Sequence, residues 1–330
     1  MTKLISPVNG QILAIHNKQQ REFYNKDQVP QDYGDFLWYA LERQKDTDYT
    51  YPERHLFVWE TDKEESLVEI SESPDFYESR QIQVKGNEAI INNFRINSTY
   101  YWRVNGCEAG SFLTEDAVPR FIEAEGVANI RDAGGWKTDF GCRIKQDMLF
   151  RGTEMDKHYA VTEKGRQVLK GDLKIRTVID LRGDNEWTPI SPLGEDVQVK
   201  HVPISAYDGL IKGQKDKCKE IFDIFAQKSN YPIYYHCLGG ADRTGTVAFL
   251  LGAALGMDEE DLLMDYEMTS MCIWGDRCRE TKYCKALLSA LAEYPGETVQ
   301  QQCIDYLHDC GVTEEQLNTI RSILLEKFPD

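Results

Sequence analysis

No run of apolar residues in this chain is long enough to cross a bilayer. The longest charge-free apolar stretch, Thr244 to Met257, falls well short of the roughly 20 residues that a spanning helix needs. The N-terminus develops no apolar core of a secretion signal either. Pro7 and Asn9 interrupt it directly after Met1-Thr2-Lys3-Leu4-Ile5-Ser6, and a cytoplasmic location is the expectation. Positive charge is scarce, with 38 Lys and Arg against 55 Asp and Glu and a net charge of −17. Such a surface repels polyanions, so neither nucleic acid nor membrane is expected as a partner. An anion must then be held in a local positive pocket. The nine cysteines include no Cys-x-x-Cys pair, and a chain of 330 residues does not need stapling, so free thiols are expected. Cys272, Cys278 and Cys284 would point about 240° apart from one to the next on a helix, which argues against a shared metal site. Cys303 and Cys310 stand too far apart along a helix for a disulfide. No metal and no cofactor are expected.

What is present is enough apolar material for a core, 41% hydrophobic and 11% aromatic residues, in a length that suits two domains. Two periodicities divide the chain. Leu56-Phe57-Val58-Trp59-Glu60, Leu67 to Ser71, Ala89-Ile90-Ile91 and Tyr100 to Val104 are short β-rich runs separated by turn formers such as Ser73-Pro74-Asp75. They predict antiparallel strands and a small all-β sandwich over 1–116. Beyond Asp116-Ala117-Val118-Pro119 the pattern turns to strands followed by helices. Ile175 to Leu181 and Pro232 to His236 read as buried parallel strands. Helix-compatible spacing covers 161–170, 216–227, 244–256, 258–269, 277–293, 298–310 and 313–327. An α/β domain over 117–330, with a central mostly parallel sheet flanked by helices, follows.

One stretch carries the chemistry: Tyr235-His236-Cys237-Leu238-Gly239-Gly240-Ala241-Asp242-Arg243-Thr244-Gly245. A strand delivers His-Cys, two glycines lie in the following loop, and Arg-Thr-Gly opens an apolar helix. Glycines let successive backbone N–H groups turn inward around an anion. The helix aims its positive end at the same spot, and Arg243 can add a bidentate fork for two phosphate oxygens. The same field favours a thiolate, so one pocket prepares both nucleophile and substrate.

The loop resembles the signature of the cysteine-dependent protein tyrosine phosphatases, HCxxxxxR followed by Ser or Thr, and is most similar to the bacterial enzymes whose loop reads HCxAGKDRTG. Further parts of that pattern occur in order: Asn129-Ile130-Arg131-Asp132-Ala133-Gly134-Gly135, Leu149-Phe150-Arg151-Gly152, Thr177 to Arg182, and Asp265-Tyr266-Glu267. The resemblance spans about 120–327. It implies a phosphomonoester hydrolase for phosphotyrosine proteins or peptides, with Cys237 as nucleophile. Arg243 and the loop His236, Leu238, Gly239, Gly240, Ala241, Thr244 and Gly245 would hold the phosphoryl group. Thr244 would hydrogen-bond the departing sulfur, and His236 would brace the Cys237 backbone. The general acid is expected to be Asp242, with Asp208 in Ser205-Ala206-Tyr207-Asp208-Gly209 as the alternative. The segment Ile96 to Val104 resembles the tyrosine-corner strand of a fibronectin type III domain, which could dock a substrate, mediate dimerisation or shape the pocket rim.

Ala241 stands where the family pattern often has Lys, so the loop itself offers a single guanidinium. That weakens a phosphoinositide or dual-specificity reading. A rhodanese-type sulfurtransferase is disfavoured by Asp242 and the Arg-Thr-Gly ending, and a phosphate-binding module without turnover by the intact Cys237, Asp242 and Arg243. Arg131 with Asp132, Asp180 with Arg182, and Arg151 are expected to form ion pairs that fix loop geometry. Trp136, Trp187 and Trp274 are expected in the core, and His158, His201 and His308 have no partner legible in sequence.

Overall fold

The computed structural model describes residues 2–24, 48–272 and 277–328; Trp274 lies outside them. The N-terminal part contributes β1 (Lys3–Ser6), β2 (Gln11–Leu13), a short α1 (Lys18–Tyr24), β3 (His55–Glu60), β4 (Glu65–Ser71), β5 (Arg80–Lys85), β6 (Glu88–Ile91), β7 (Thr99–Val104) and β8 (Gly110–Thr114). They form a three-stranded sheet in the order β1-β3-β6 and a five-stranded sheet in the order β2-β8-β7-β4-β5. Alternation drives their assembly: in β7, Tyr100, Trp102 and Val104 are buried while Thr99 is exposed. Phe57 and Trp59 from one sheet meet Val68, Trp102 and Phe112 from the other in a single apolar cluster. Aromatic edges fill its centre, with the Phe57 and Trp102 rings 5.0 Å apart and nearly perpendicular. The Tyr100 hydroxyl accepts a 2.9 Å bond from the Arg95 backbone N–H.

The remainder is built on a six-stranded sheet. Its strands are β9 (Arg120–Phe121), β10 (Arg131–Asp132), β12 (Leu149–Gly152), β13 (Thr177–Asp180), β14 (Gln198–His201) and β15 (Ile233–His236), and β11 (Cys142–Ile144) lies outside it. The order is β14-β13-β15-β12-β10-β9. The first three of these pairings are parallel and the last two antiparallel. The strand order places β15 between β13 and β12, so the ends Asp180, His236 and Gly152 lie side by side. Ligands of open α/β sheets bind outside such carboxyl ends.

Helices pack around this sheet: α2 (Glu163–Arg166, continued by a π-helical turn Gln167–Asp172), α3 (Asp208–Gly213), α4 (Lys215–Phe225), α5 (Asp242–Ala254), α6 (Glu259–Met268), α7 (Lys282–Leu291), α8 (Val299–Asp309) and α9 (Glu314–Leu324). Two expected helices are shorter than their spacing implies. The helix expected from 277 begins at Lys282, where the Thr281 side chain caps it. The helix expected to reach 327 ends at Leu324, because Leu325–Lys327 leave it as β16 and pair antiparallel with β11. None of the nine cysteines is in a disulfide. Among the described residues no helix is long and apolar enough to cross a membrane.

Side-chain amides dock the two parts by imitating backbone pairing. Gln146 accepts from Ile96 N–H at 2.8 Å and donates to Ile96 C=O at 3.1 Å. Asn93 does the same with Glu123, accepting at 2.8 Å and donating at 2.9 Å. Gln146→Leu keeps the volume but leaves two buried backbone groups of Ile96 unpaired, and each such group costs about 1–3 kcal/mol. A loss of roughly 2–4 kcal/mol in urea unfolding is expected; a loss under about 0.5 kcal/mol would remove this docking role.

Candidate active site

The chain runs from the middle of the sheet into a tight loop and then into α5. Burial of Ile233, Tyr234, Tyr235 and His236 along β15 fixes where Cys237 emerges, and Cys237 itself is buried. Each of the next carbonyls is tied away from the loop's concave side. His236 Nδ1 lies 2.8 Å from Cys237 C=O, so that nitrogen carries the proton and donates. The Glu154 N–H donates to Leu238 C=O at 3.0 Å. Asn129 Nδ2 donates to Gly239 C=O at 3.1 Å and Arg151 Nη2 to Gly240 C=O at 3.0 Å. In a trans peptide the following N–H points opposite its carbonyl. The N–H groups of Leu238, Gly239, Gly240 and Ala241 therefore face the other way, and among the described residues none accepts from them. Such a row of N–H groups is an anion cradle.

Glycine is required at one place in this loop. Gly240 has φ +65°, and a Cβ there would lie 2.4 Å from Gly152 C=O. At its far end the loop closes into α5 through Gly245 N–H to Ala241 C=O at 2.8 Å. Asp242 is thus the first residue of the helix rather than an interior loop residue. Thr244 Oγ1 is buried with no hydrogen-bond partner among the described residues.

Against the effect of burial, Glu186 and Cys237 raise the Arg243 guanidinium, and Arg243 reaches Glu186 Oε2 at 2.9 Å. This bond, with a second from Gly183 N–H, holds the Glu186 carboxyl below its ordinary value. Asp242 accepts from the Tyr207 hydroxyl and from Arg277, at 2.8 Å from Nε and 3.1 Å from Nη2. The fold therefore supplies the second guanidinium that the loop sequence lacks. Asp208, the alternative acid, stands at the start of α3 with its carboxylate half exposed, 3.7 Å from Lys212. The backbone of Tyr207 is anchored instead, its N–H donating to Thr246 Oγ1 at 2.8 Å, and its ring stacks on Tyr283 at 5.6 Å.

Behind the loop stand buried ion pairs. Asp265 accepts from Arg131 Nε at 3.0 Å and from Arg151 Nη1 at 2.6 Å. Arg182 is shared among Asp180, Asp156 and Glu154, and Arg120 joins Asp132 at 3.1 Å. Trp136 is buried in the core. Trp187 stacks on His201 at 4.3 Å, and His201 Nε2 lies 2.8 Å from Arg182 C=O. His308 Nδ1 lies 3.0 Å from Val312 C=O, and the His158 N–H donates to Glu154 at 2.6 Å. Glu186, Tyr207, Arg277 and Glu154 were not singled out from sequence, since each joins the site across a long separation and no spacing pattern marks it.

Burial alone would raise the Asp265 carboxyl, but the guanidiniums of Arg131 and Arg151 hold it below its ordinary value. Its contribution to stability is therefore complete above the unfolded-state value of about 4 and drains away as pH falls through the lower folded value. Asp265→Asn leaves two buried guanidiniums facing a neutral amide and is expected to cost roughly 3–5 kcal/mol at neutral pH. Guanidinium unfolding across a pH series checks this: the gap from wild type should narrow below about pH 4, and a gap that widened there would refute the pairing.

Three comparisons bear on this arrangement. A sequence model of the tyrosine phosphatase family matches residues 122–326. A protein of Cupriavidus necator, whose name as a tyrosine-protein phosphatase is itself provisional, is 27% identical over 42% of this chain. The chain spans 59% of that relative's length. Two crystal structures overlap weakly. The core catalytic domain of the PP-IP phosphatase SIW14 from S. cerevisiae has TM-score 0.32 and 16% identity, covering 38% of this chain and 75% of its own. P. aeruginosa TpbA has TM-score 0.29 and 16% identity, covering 46% and 90%. Overlaps this low add nothing to the assignment, which rests on the sequence model. That match takes in more than half of the chain, including every residue of the cradle from Asn129 to Arg243, and the protein belongs to the tyrosine phosphatase family.

Proposed function

We propose that this protein hydrolyses phosphomonoesters, with phosphotyrosine in a protein or peptide as substrate, through a cysteinyl-phosphate intermediate. The observation that carries the reading is the row of four carbonyls tied outward behind Cys237, which turns four N–H groups toward one anion. In this reading Cys237 Sγ attacks phosphorus and the bond to the leaving oxygen breaks. Asp242 gives that oxygen its proton, and water then cleaves the S–P bond to release phosphate. Arg243 leaves Glu186 for two phosphoryl oxygens. Thr244 Oγ1, unpartnered at rest among the described residues, donates to the departing sulfur. At rest Asp242 accepts from Arg277 and from the Tyr207 hydroxyl, and general acids of this kind typically contribute 10²–10⁴-fold.

The Arg277 guanidinium beside Asp242 favours a second reading, a dual-specificity or inositol-lipid phosphatase, because it adds a cation that a further phosphate could use. For the N-terminal part, the Tyr100 hydroxyl bonded back to Arg95 N–H supports a fibronectin III-like sandwich over 1–116, since that corner is a hallmark of such sandwiches. The catalytic domain then takes 117–330.

Phosphate release from phosphotyrosine, phosphoserine and phosphothreonine peptides and soluble phosphoinositides, with EDTA present, tests the reaction class. Turnover that prefers phosphotyrosine and vanishes in Cys237→Ser is expected, with vanadate binding retained by the variant. Inositide preference would promote the second reading, and full activity in Cys237→Ser would end the mechanism. Asp242→Ala should slow a poor leaving group such as phenyl phosphate by about 10²-fold or more and p-nitrophenyl phosphate much less. If Asp208→Ala shows that dependence instead, the acid is Asp208.

A further inference from the structure

The extended segment 48–53, which leads into β3, hydrogen-bonds to the α/β part of the chain through Thr50 and Tyr49. Thr50 is buried. Its hydroxyl donates to Asp48 Oδ1 at 2.5 Å and accepts from the Asn129 backbone N–H at 2.8 Å. Asn129 is fully buried with φ +54°, a left-handed conformation that persists only where its surroundings over-determine it. Its side chain spans the remaining gap: Oδ1 accepts from Arg131 Nη1 at 2.5 Å, and Nδ2 donates to Gly239 C=O. One residue thus lies between Thr50 and the loop carbonyl whose direction aims the Gly240 N–H. The second contact is Tyr49 N–H to Met271 C=O at 3.0 Å, in the turn that follows α6.

The segment is itself held from behind. Asn17, just before α1, and Gln20 within it bond reciprocally to each other's backbone N–H at 3.0 Å, which uses one acceptor of each side-chain amide. Their NH₂ groups both donate to the carbonyls of Tyr49 and Tyr51, at 2.7–3.1 Å. Glu53 N–H adds a bond to Ile15 C=O at 2.9 Å. Two fully buried amides spent on two carbonyls of an irregular segment give that segment one position. A surface connection without such fixation would be free to move.

We infer that segment 48–53 braces the phosphate loop, with Thr50 as a positioning residue acting through Asn129, so that the N-terminal part of the chain completes the catalytic pocket. The inference rests on the phosphatase reading above for its effect on turnover, but not for its effect on anion binding.

The test uses the full chain with Thr50→Val, which keeps the shape of Thr50 and removes its hydroxyl, and Thr50→Ser, which restores the hydroxyl. Orthovanadate affinity by calorimetry, kcat and KM for p-nitrophenyl phosphate, and Tm are measured for each. Thr50→Val is expected to weaken vanadate binding and lower kcat/KM by about tenfold, as misplaced catalytic geometry does, while Thr50→Ser stays within about twofold of wild type. A merely structural role would lower Tm and leave the affinity of the folded protein unchanged. That result overturns the brace. Should Thr50→Val fail to fold, Asp48→Ala removes the carboxylate that accepts from both the Thr50 hydroxyl and the Thr50 backbone N–H, and the same two readouts decide, with unchanged values overturning the proposal. If wild type releases no phosphate from any substrate yet loses vanadate affinity in Thr50→Val, the hydrolase reading falls and the brace stands. An active wild type with unchanged affinity in Thr50→Val gives the reverse. A wild type that binds no vanadate overturns both.

Discussion

Four consecutive backbone carbonyls between Cys237 and Gly240 must find donors outside the loop, or the loop cannot turn its N–H groups inward. A peptide's two polar groups point in opposite directions, so a cradle of N–H groups on one side requires a shell of donors on the other. Much of the rest of the architecture supplies that shell. His236 arrives from the loop's own strand, the Glu154 N–H from just beyond β12, Arg151 from β12, and Asn129 from the turn before β10. Two of these donors are fixed in turn, Arg151 by Asp265 and Asn129 by Arg131 and Thr50.

The electrostatics follow the same outward layering. A chain with net charge −17 places several of its arginines in the interior around one loop, and Arg131, Arg151 and Arg182 are nearly fully buried. Buried guanidiniums are tolerable only when paired, which accounts for Asp265 between two of them and for the three carboxylates around Arg182. The surface charge and the local field of the cradle are thus decoupled. An anion can be drawn into a cradle that the average surface would repel.

The short β-rich runs of β3, β4, β6 and β7 and the apolar strands β13 and β15 were legible in the sequence, as were α4, α5, α6, α8 and α9 to within a few residues. Helix α1 and strands β1, β2, β5, β8 and β14 were not. The short strands β9 and β10 were invisible for a different reason. Their residues Arg120, Arg131 and Asp132 are charged, and what buries them is ion pairing with distant partners, which leaves no hydrophobic pattern. In the site, the run from His236 to Gly245 was readable because strand, glycines, arginine and helix are contiguous. Glu186 on Arg243, Arg277 on Asp242 and Thr50 on Asn129 were not, since each contact joins residues far apart in the chain.

The pairing of β11 with β16 ties Cys142–Ile144 to Leu325–Lys327. During synthesis the ribosome releases β11 long before its partner exists, so that strand carries unsatisfied backbone groups while most of the helical shell is still being made. An unpaired edge in a growing chain is a template for the wrong neighbour. The charge of Arg143 and the single strand of pairing that β11 offers, in place of a long flat apolar edge, make the wait tolerable: the nascent domain keeps its last seam open without presenting an adhesive surface to the next copy on the same message.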